Sequence, residues 1–379
     1  MKKQALLFLL LGSMVLTGCG QTPAASGEVK DLGVYDPHTE LQTRYFADTR
    51  ELTDSVAKEF IPAVNAEDGK SHSDVGVPNP MKLEFKDLKQ ADKYYVQVAT
   101  NAEFTNPSLY ETTKASYDFY NGLLGQEYYV RAAVSEAALG GAQVYKFKVK
   151  DTAPRNVYVP GVINFRDVGG WKTTLVPNGV VRQGLYYRCA KFDSIKAAGK
   201  KALKELGIKL DIDMRDSYSV PSKSPASTTD WPVDILKASV ASSTEDGRWE
   251  GYHDKDKNIA ATYKSIFEAI ANADQKPIGL HCTHGADRTG IVSFFLLALL
   301  GVSKEDCAKD YVYTRFAGER SVLPENEYKN WVTKTEALEG DSFAAKTYKH
   351  LNEDFNISVD TLETIREKFV PGYTRPAVA

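Results

Sequence analysis

The chain has 379 residues, 42% of them hydrophobic and 26% charged, the composition of ordinary globular protein with length for about two domains. A net charge of −3 argues against a nucleic-acid partner or any general polyanion binder, so an anion site has to be local. Lys2 and Lys3 precede an apolar run from Ala5 to Leu16, which matches a signal-peptide core in length and is too short to span a bilayer stably. Residues 1–18 are therefore expected to be a leader. Residues 19–77 follow as a Gly/Pro/Ser-containing tether and a weakly patterned segment, whose helical hint is Leu52, Val56 and Phe60 on Asp48–Phe60. Residues 78–150 change to period two, as in Tyr94, Val96 and Val98 or Tyr128, Val130 and Ala132, with turn signals at Asn106-Pro107, Asn121-Gly122 and Gly140-Gly141. This pattern predicts a small all-β sandwich.

From Asp151 onward, helical patterns (Ser194 to Leu206, Ala261 to Ala273) precede apolar strands ("LGIKLDIDMRD" at 206–216, "KPIGLHC" at 276–282). The alternation predicts an α/β fold over 151–379, a central sheet flanked by helices, with ligands at the carboxyl ends of its strands. His281-Cys282 occupies such an end. The stretch "HCTHGADRTG" (281–290) then opens the apolar helix "IVSFFLLALLG", whose free N-terminal amides and dipole make an anion site. Gly285 permits a positive φ that lets successive N–H groups converge on one point. Cys282 beneath that point is favoured as thiolate, as a nucleophile at neutral pH requires. Arg288 supplies a planar fork for two phosphate oxygens, and Thr289 a hydrogen bond to the sulfur. Thr283, His284, Gly285, Ala286, Thr289 and Gly290 would line the phosphate site. A zinc site from His281, Cys282 and His284 fits poorly, because adjacent strand residues face opposite ways and no second ligand pair follows.

Leu16-Thr17-Gly18-Cys19 resembles the bacterial lipobox, which implies lipidation of Cys19 and an extracytoplasmic protein anchored to the membrane. "YYVQVATNAEF" and "LLGQEYYVRAAV" resemble a fibronectin type III domain, with Tyr128 as the corner tyrosine; an adhesive role and a plain spacer both remain open for it. "HCTHGADRTG" resembles the signature loop of cysteine-based protein tyrosine phosphatases. "GVINFRDVGG" (161–170), "GLYYRCAKF" (184–192) and "DIDMRD" (211–216) look like further landmarks of the bacterial tyrosine and serine phosphatase branch.

The resemblance implies a cysteine-phosphatase-like central sheet and a reaction without cofactor or metal through a phosphocysteine at Cys282. Its substrate would be a phosphorylated protein or a small phosphate ester. Asp287 matches the branch's general acid, the alternative being a simple partner of Arg288. Asp213 matches an aspartate that orients Arg288, or else is a buried acid paired with Arg215. Ala286 stands where the branch often carries lysine, which counts against phosphoinositides. Cys189 replaces a usual serine, and is either a disulfide partner for Cys282 or an inert buried thiol. The polar stretch 217–257, with Trp231, Trp249 and Tyr252, reads as a lid or binding loop. Two other functions stay open: hydrolysis of inositol polyphosphates, for which Lys191, Lys223, Arg248, Lys255 and Lys257 are candidate cations, and a surface adhesin using the loop as a receptor.

Overall fold

Two hydrophobic periods in the sequence give two kinds of sheet. The protein is seen in a computed structural model that describes residues 28–53, 55–57, 59–60, 76–240, 257–273, 276–316 and 327–376. The expected leader and Cys19, together with Arg248, Trp249, Tyr252, Lys255 and the side chain of Lys257, lie outside the described residues. Two compact units are present. The smaller holds Phe85–Ala115 and Tyr129–Lys146; the larger holds Gly33–Glu84, Ser116–Tyr128 and the chain from Phe147 onward.

A strand, β1 (Lys30–Tyr35), lies in the segment expected to be tether, and the period-two region holds β2 (Met81–Glu84), β3 (Tyr94–Ala99), β4 (Ser108–Thr112), β5 (Ser116–Phe119), β6 (Glu127–Ala133) and β7 (Val144–Val149). In the smaller unit β3 pairs antiparallel with β4 and β6, and Val96 and Val130 are fully buried. In the larger unit β2 pairs antiparallel with β5. There Phe119, Tyr128 and Phe147 pack ring to ring at 4.9 to 5.7 Å, and the Tyr128 hydroxyl accepts from the Leu123 N–H at 2.8 Å. Helix α1 (Glu40–Ala47) lies ahead of the stretch expected to be helical, within which residues 55–57 and 59–60 are helical. A capping box starts it: Thr39 and Gln42 each accept the other's backbone N–H through their side chains.

The second sheet joins β8 (Arg155–Asn156), β9 (Arg166–Asp167), β12 (Tyr186–Cys189), β13 (Leu210–Asp213), β14 (Asp234–Lys237) and β15 (Ile278–His281), while β10 (Lys172–Thr173) and β11 (Gly179–Val180) form a separate ribbon. Its order is β14-β13-β15-β12-β9-β8, with the first four strands parallel and the last two antiparallel. Around it lie α2 (Ala197–Glu205), α3 (Lys257–Asn272), α4 (Asp287–Leu299), α5 (Lys304–Tyr313), α6 (Glu327–Glu336), α7 (Phe343–Glu353) and α8 (Val359–Phe369). All four residues of β15 and all thirteen of α4 are buried. The unbroken apolar sequence of α4 follows, since β12 and β15 cover one side of it and α5 and α7 another. Ser303 caps α5 by accepting the Asp306 N–H at 3.1 Å.

Part of the expected lid is sheet. Asp234–Lys237 runs parallel to β13 as the edge strand, and its mixed sequence DILK is too short and too polar to announce a strand. Trp231 is anchored there as well, donating its indole N–H to the Ile208 carbonyl at 2.8 Å beneath the Lys209 ammonium.

Candidate active site

Central strand β15 ends at His281, and Cys282 follows with the loop 283–286 before α4 begins at Asp287. Gly285 has φ +68°, and a Cβ there would collide with the Cys189 carbonyl, so both its handedness and its closeness to β12 call for glycine. The N-cap position of α4 is Ala286, which gives no side-chain cap. The first amides of a wholly buried helix are thus left for a bound anion, and the helix dipole favours one.

The loop is held from behind. Asn164 donates its amide to the carbonyls of His284 and Gly285, both at 3.0 Å, and Arg188 Nη2 donates to those of Gly285 and Ala286 at 2.9 and 3.4 Å. Arg166 in turn holds the Asn164 side-chain oxygen, and Asp310 on α5 bridges Arg166 and Arg188. Lys191 closes the other side, its N–H on the Thr283 carbonyl at 3.2 Å.

Burial works against ionisation of the Cys282 thiol, and Asp287 adds to that effect. The charge of Arg288, with the Thr289 hydroxyl and backbone N–H close by, outweighs both and holds the thiol below its ordinary value. Arg288 Nη1 is fixed by the carbonyls of Met214 and Val240 at 3.1 and 3.0 Å. Its Nε–Nη2 edge remains for a two-oxygen grip on a phosphate. Asp287, Arg288, Thr289 and Gly290 form the first turn of α4, all buried, whereas Thr283 and His284 are part-exposed at the rim. A thiol, a guanidinium, a carboxyl and the amides of a helix start thus meet where β15 passes into α4.

The sequence profile described as "Tyrosine phosphatase family" matches residues 157–375. The chain belongs to that family. It is 29% identical over 137 residues to a tyrosine-protein phosphatase of Nostoc commune, covering 33% of this chain and 47% of that one. It is 24% identical over 193 residues to the triple specificity protein phosphatase PtpB of Mycobacterium tuberculosis, covering 41% and 67%. The match thus spans about half the length of the Nostoc relative. Among solved structures, TpbA of P. aeruginosa is 18% identical, aligned over 47% of this chain and 96% of that one with a TM-score of 0.29.

In this member of the family, the structure bears on three readings that the sequence left open. Of the two roles open to Asp213, orienting Arg288 or pairing with Arg215, the structure shows the second: both its oxygens bind Arg215, at 2.7 to 3.1 Å, and Arg215 reaches on to Asp193 at 2.7 Å. A strand-end carboxylate two residues before an arginine folds back on it locally, an arrangement the residue pattern alone left open. The carboxylate beside Arg288 is instead Asp216, with Oδ2 3.9 Å from Nη1. Cys189 is opposite His281 in the β12–β15 register and belongs to a buried cluster with Tyr187, Phe192 and Leu203, while Cys282 belongs to the cluster of Ile212, Leu280 and Ile291, which leaves both readings of Cys189 open. Both are free thiols, and burial, the nearby Asp211 and Cys282 itself push the Cys189 thiol well up. Among the candidate cations, Lys191 pairs with Asp193 at 3.7 Å and Lys223 is exposed.

Asn164, Arg166, Arg188, Asp211 and Asp310 had no role in the sequence reading. Four of them lie in the three landmark stretches, where polar residues at strand ends were the available signal. Asp310 stands in a plain amphipathic helix and offered none.

Proposed function

We propose that this protein is a phosphomonoesterase acting on protein phosphotyrosine through a phosphocysteine, carried outside the cytoplasm on a lipidated Cys19 behind a fibronectin type III-like domain. The observation that carries the reading is the Cys282 thiol, with lowered pKa, beneath an uncapped buried helix N-terminus whose first turn holds Asp287 and Arg288. The Cys282 thiolate attacks phosphorus in line with the ester oxygen. As the S–P bond forms and the P–O bond breaks, Asp287 gives its proton to the leaving oxygen. Water then attacks the phosphocysteine while Asp287 takes a proton from it, and the thiolate leaves with inorganic phosphate free. The loop amides and the Nε–Nη2 edge of Arg288 hold the equatorial oxygens, where charge is greatest in the transition state.

The names of the curated relatives support phosphotyrosine, and the description of PtpB as triple specificity admits phosphoserine beside it. Ala286 leaves the loop without an added cation, which disfavours inositol polyphosphates. The test is hydrolysis of a phosphotyrosine peptide, a phosphoserine peptide and inositol hexakisphosphate by the full chain under reducing conditions, beside Cys282→Ser. Dominant phosphotyrosine turnover that vanishes in the variant is the expected result. Turnover of the inositol phosphate alone would overturn the substrate class, and peptide binding without turnover would favour a receptor. Membrane fractionation of wild type and Cys19→Ala tests the anchor.

A further inference from the structure

We propose that Asp310, on α5 and outside the signature loop, is a positioning residue that turns the loop's amides toward the phosphate. The inference rests on the phosphatase reading. Asp310 Oδ1 accepts from Arg166 Nε at 2.8 Å, Oδ2 accepts from Arg188 Nη1 at 2.5 Å, and the Asp310 backbone carbonyl accepts from Arg166 Nη2 at 2.7 Å. The three side chains are at most 2% exposed, so this carboxylate separates two buried like charges.

Each arginine then works on the loop. Arg188 pulls the Gly285 and Ala286 carbonyls toward the sheet. Arg166 takes the side-chain oxygen of Asn164, which fixes that amide with its NH₂ toward the His284 and Gly285 carbonyls. The hydroxyl of Thr314 accepts from both guanidinium groups, at 3.2 and 3.4 Å, and holds their shared side in place. The carbonyls of residues 284, 285 and 286 are all turned away from the pocket. In a trans peptide the C=O of one residue opposes the N–H of the next. The N–H groups of Gly285, Ala286 and Asp287 therefore face the side where an anion would sit.

Without the carboxylate, the two guanidinium groups repel, burial penalises both, and the carbonyls lose their fixed donors. A carbonyl that swings inward replaces a donor to phosphate with a repelling oxygen. Asp310 never touches substrate, yet it decides the sign of the field substrate meets.

The test reads the cradle without turnover, as the rate of Cys282 alkylation by iodoacetamide across pH and across inorganic phosphate concentrations, in the full chain. Asp310→Asn is the direct variant. Asn164→Gly is the second, since Asn164 has φ +56°, which glycine adopts freely while losing only the amide arm. Phosphate should protect the wild-type thiol. In Asn164→Gly about 10-fold more phosphate should be needed, with the alkylation midpoint at higher pH and the thermal melt little changed. Asp310→Asn should move both readings further in the same direction, and if it fails to fold the decision falls to Asn164→Gly. Folded variants with wild-type protection and midpoint would overturn the proposal. A wild-type thiol that phosphate does not protect would overturn the phosphatase reading itself, and the proposal with it.

Discussion

His281 and Asp211 form an ion pair with almost no exposure of either side chain, Nε2 to Oδ1 at 2.9 Å, immediately behind the nucleophile. The other ring nitrogen, Nδ1, faces the Cys282 carbonyl at 2.9 Å and must carry a proton to bond it. A ring between a carbonyl and a carboxylate is held as a cation. Burial alone would lower its pKa, but Asp211, with help from Asp213, raises it to about 9. The folded value exceeds the unfolded one, so the stabilisation is present in full below about pH 6.5 and is lost as pH rises through about 9. The unfolding free energy should fall by about 2 to 3 kcal/mol across that window. Asp211→Asn should remove most of the slope. Comparison of the two proteins by urea denaturation isolates the pair from Cys282, whose lowered pKa acts in the opposite direction. Identical slopes would count against the cationic ring.

The Cys282 thiol should react with iodoacetamide well below the pH at which a free thiol does, because Arg288 and the two Thr289 donors outweigh its burial. Thr289→Val, which removes the hydroxyl donor, should shift the reactivity midpoint upward. Arg288→Lys keeps charge but loses both the planar fork and the anchoring to Met214 and Val240, and should cost about 100-fold or more in kcat/KM. An unshifted midpoint in Thr289→Val would show that the hydroxyl does not govern the thiol.

How legible was this site in the sequence? Cys282, Gly285 and Arg288 were readable because each does local work within a strand–loop–helix unit, and local work leaves a local pattern. The parallel strands β13 and β15 were readable as short apolar runs because they are buried on both faces. Asp310 was not, because its partners come from β9 and β12, distant in sequence, and a buried aspartate on a helix looks like an exposed one. Asp213 stayed ambiguous for a related reason: its match to a landmark named the residue, but two arginines, Arg215 and Arg288, were open as its partner. The edge strand at 234–237 was hidden by its polar composition, and only the register with β13 reveals it.

Two carboxyls compete for the role of general acid. Asp287 is buried in the first turn of α4, close enough to oppose ionisation of Cys282, while Asp216 lies beside Arg288 with a fifth of its side chain exposed. The leaving oxygen lies across phosphorus from the sulfur, and the resemblance of the loop assigns its proton to Asp287, so the two variants decide between the carboxyls. Asp287→Asn should reduce kcat by about 100-fold or more on phenyl phosphate, whose leaving group needs a proton, and much less on p-nitrophenyl phosphate, whose leaving group does not. Asp216→Asn should affect both esters alike. The reverse pattern would transfer the role to Asp216.

Tyr218 is 87% exposed, an unusual position for a large aromatic side chain. Its hydroxyl lies 3.4 Å from Asp216 Oδ2, and that same oxygen is 3.9 Å from Arg288 Nη1, so Tyr218 is linked to Arg288 through one carboxylate. A phosphate held by Arg288 would bring the ring of phosphotyrosine into reach of this face, whereas the short arm of phosphoserine leaves nothing to stack. Tyr218→Ala should therefore lower kcat/KM on a phosphotyrosine peptide by about 3- to 10-fold, the worth of one aromatic pair, and leave a phosphoserine peptide almost unchanged. Tyr218→Phe keeps the face and loses only the contact to Asp216, so it should restore most of the preference. Equal losses on both peptides would mean that Tyr218 acts through Asp216 and Arg288, on the phosphate rather than on the ring that carries it.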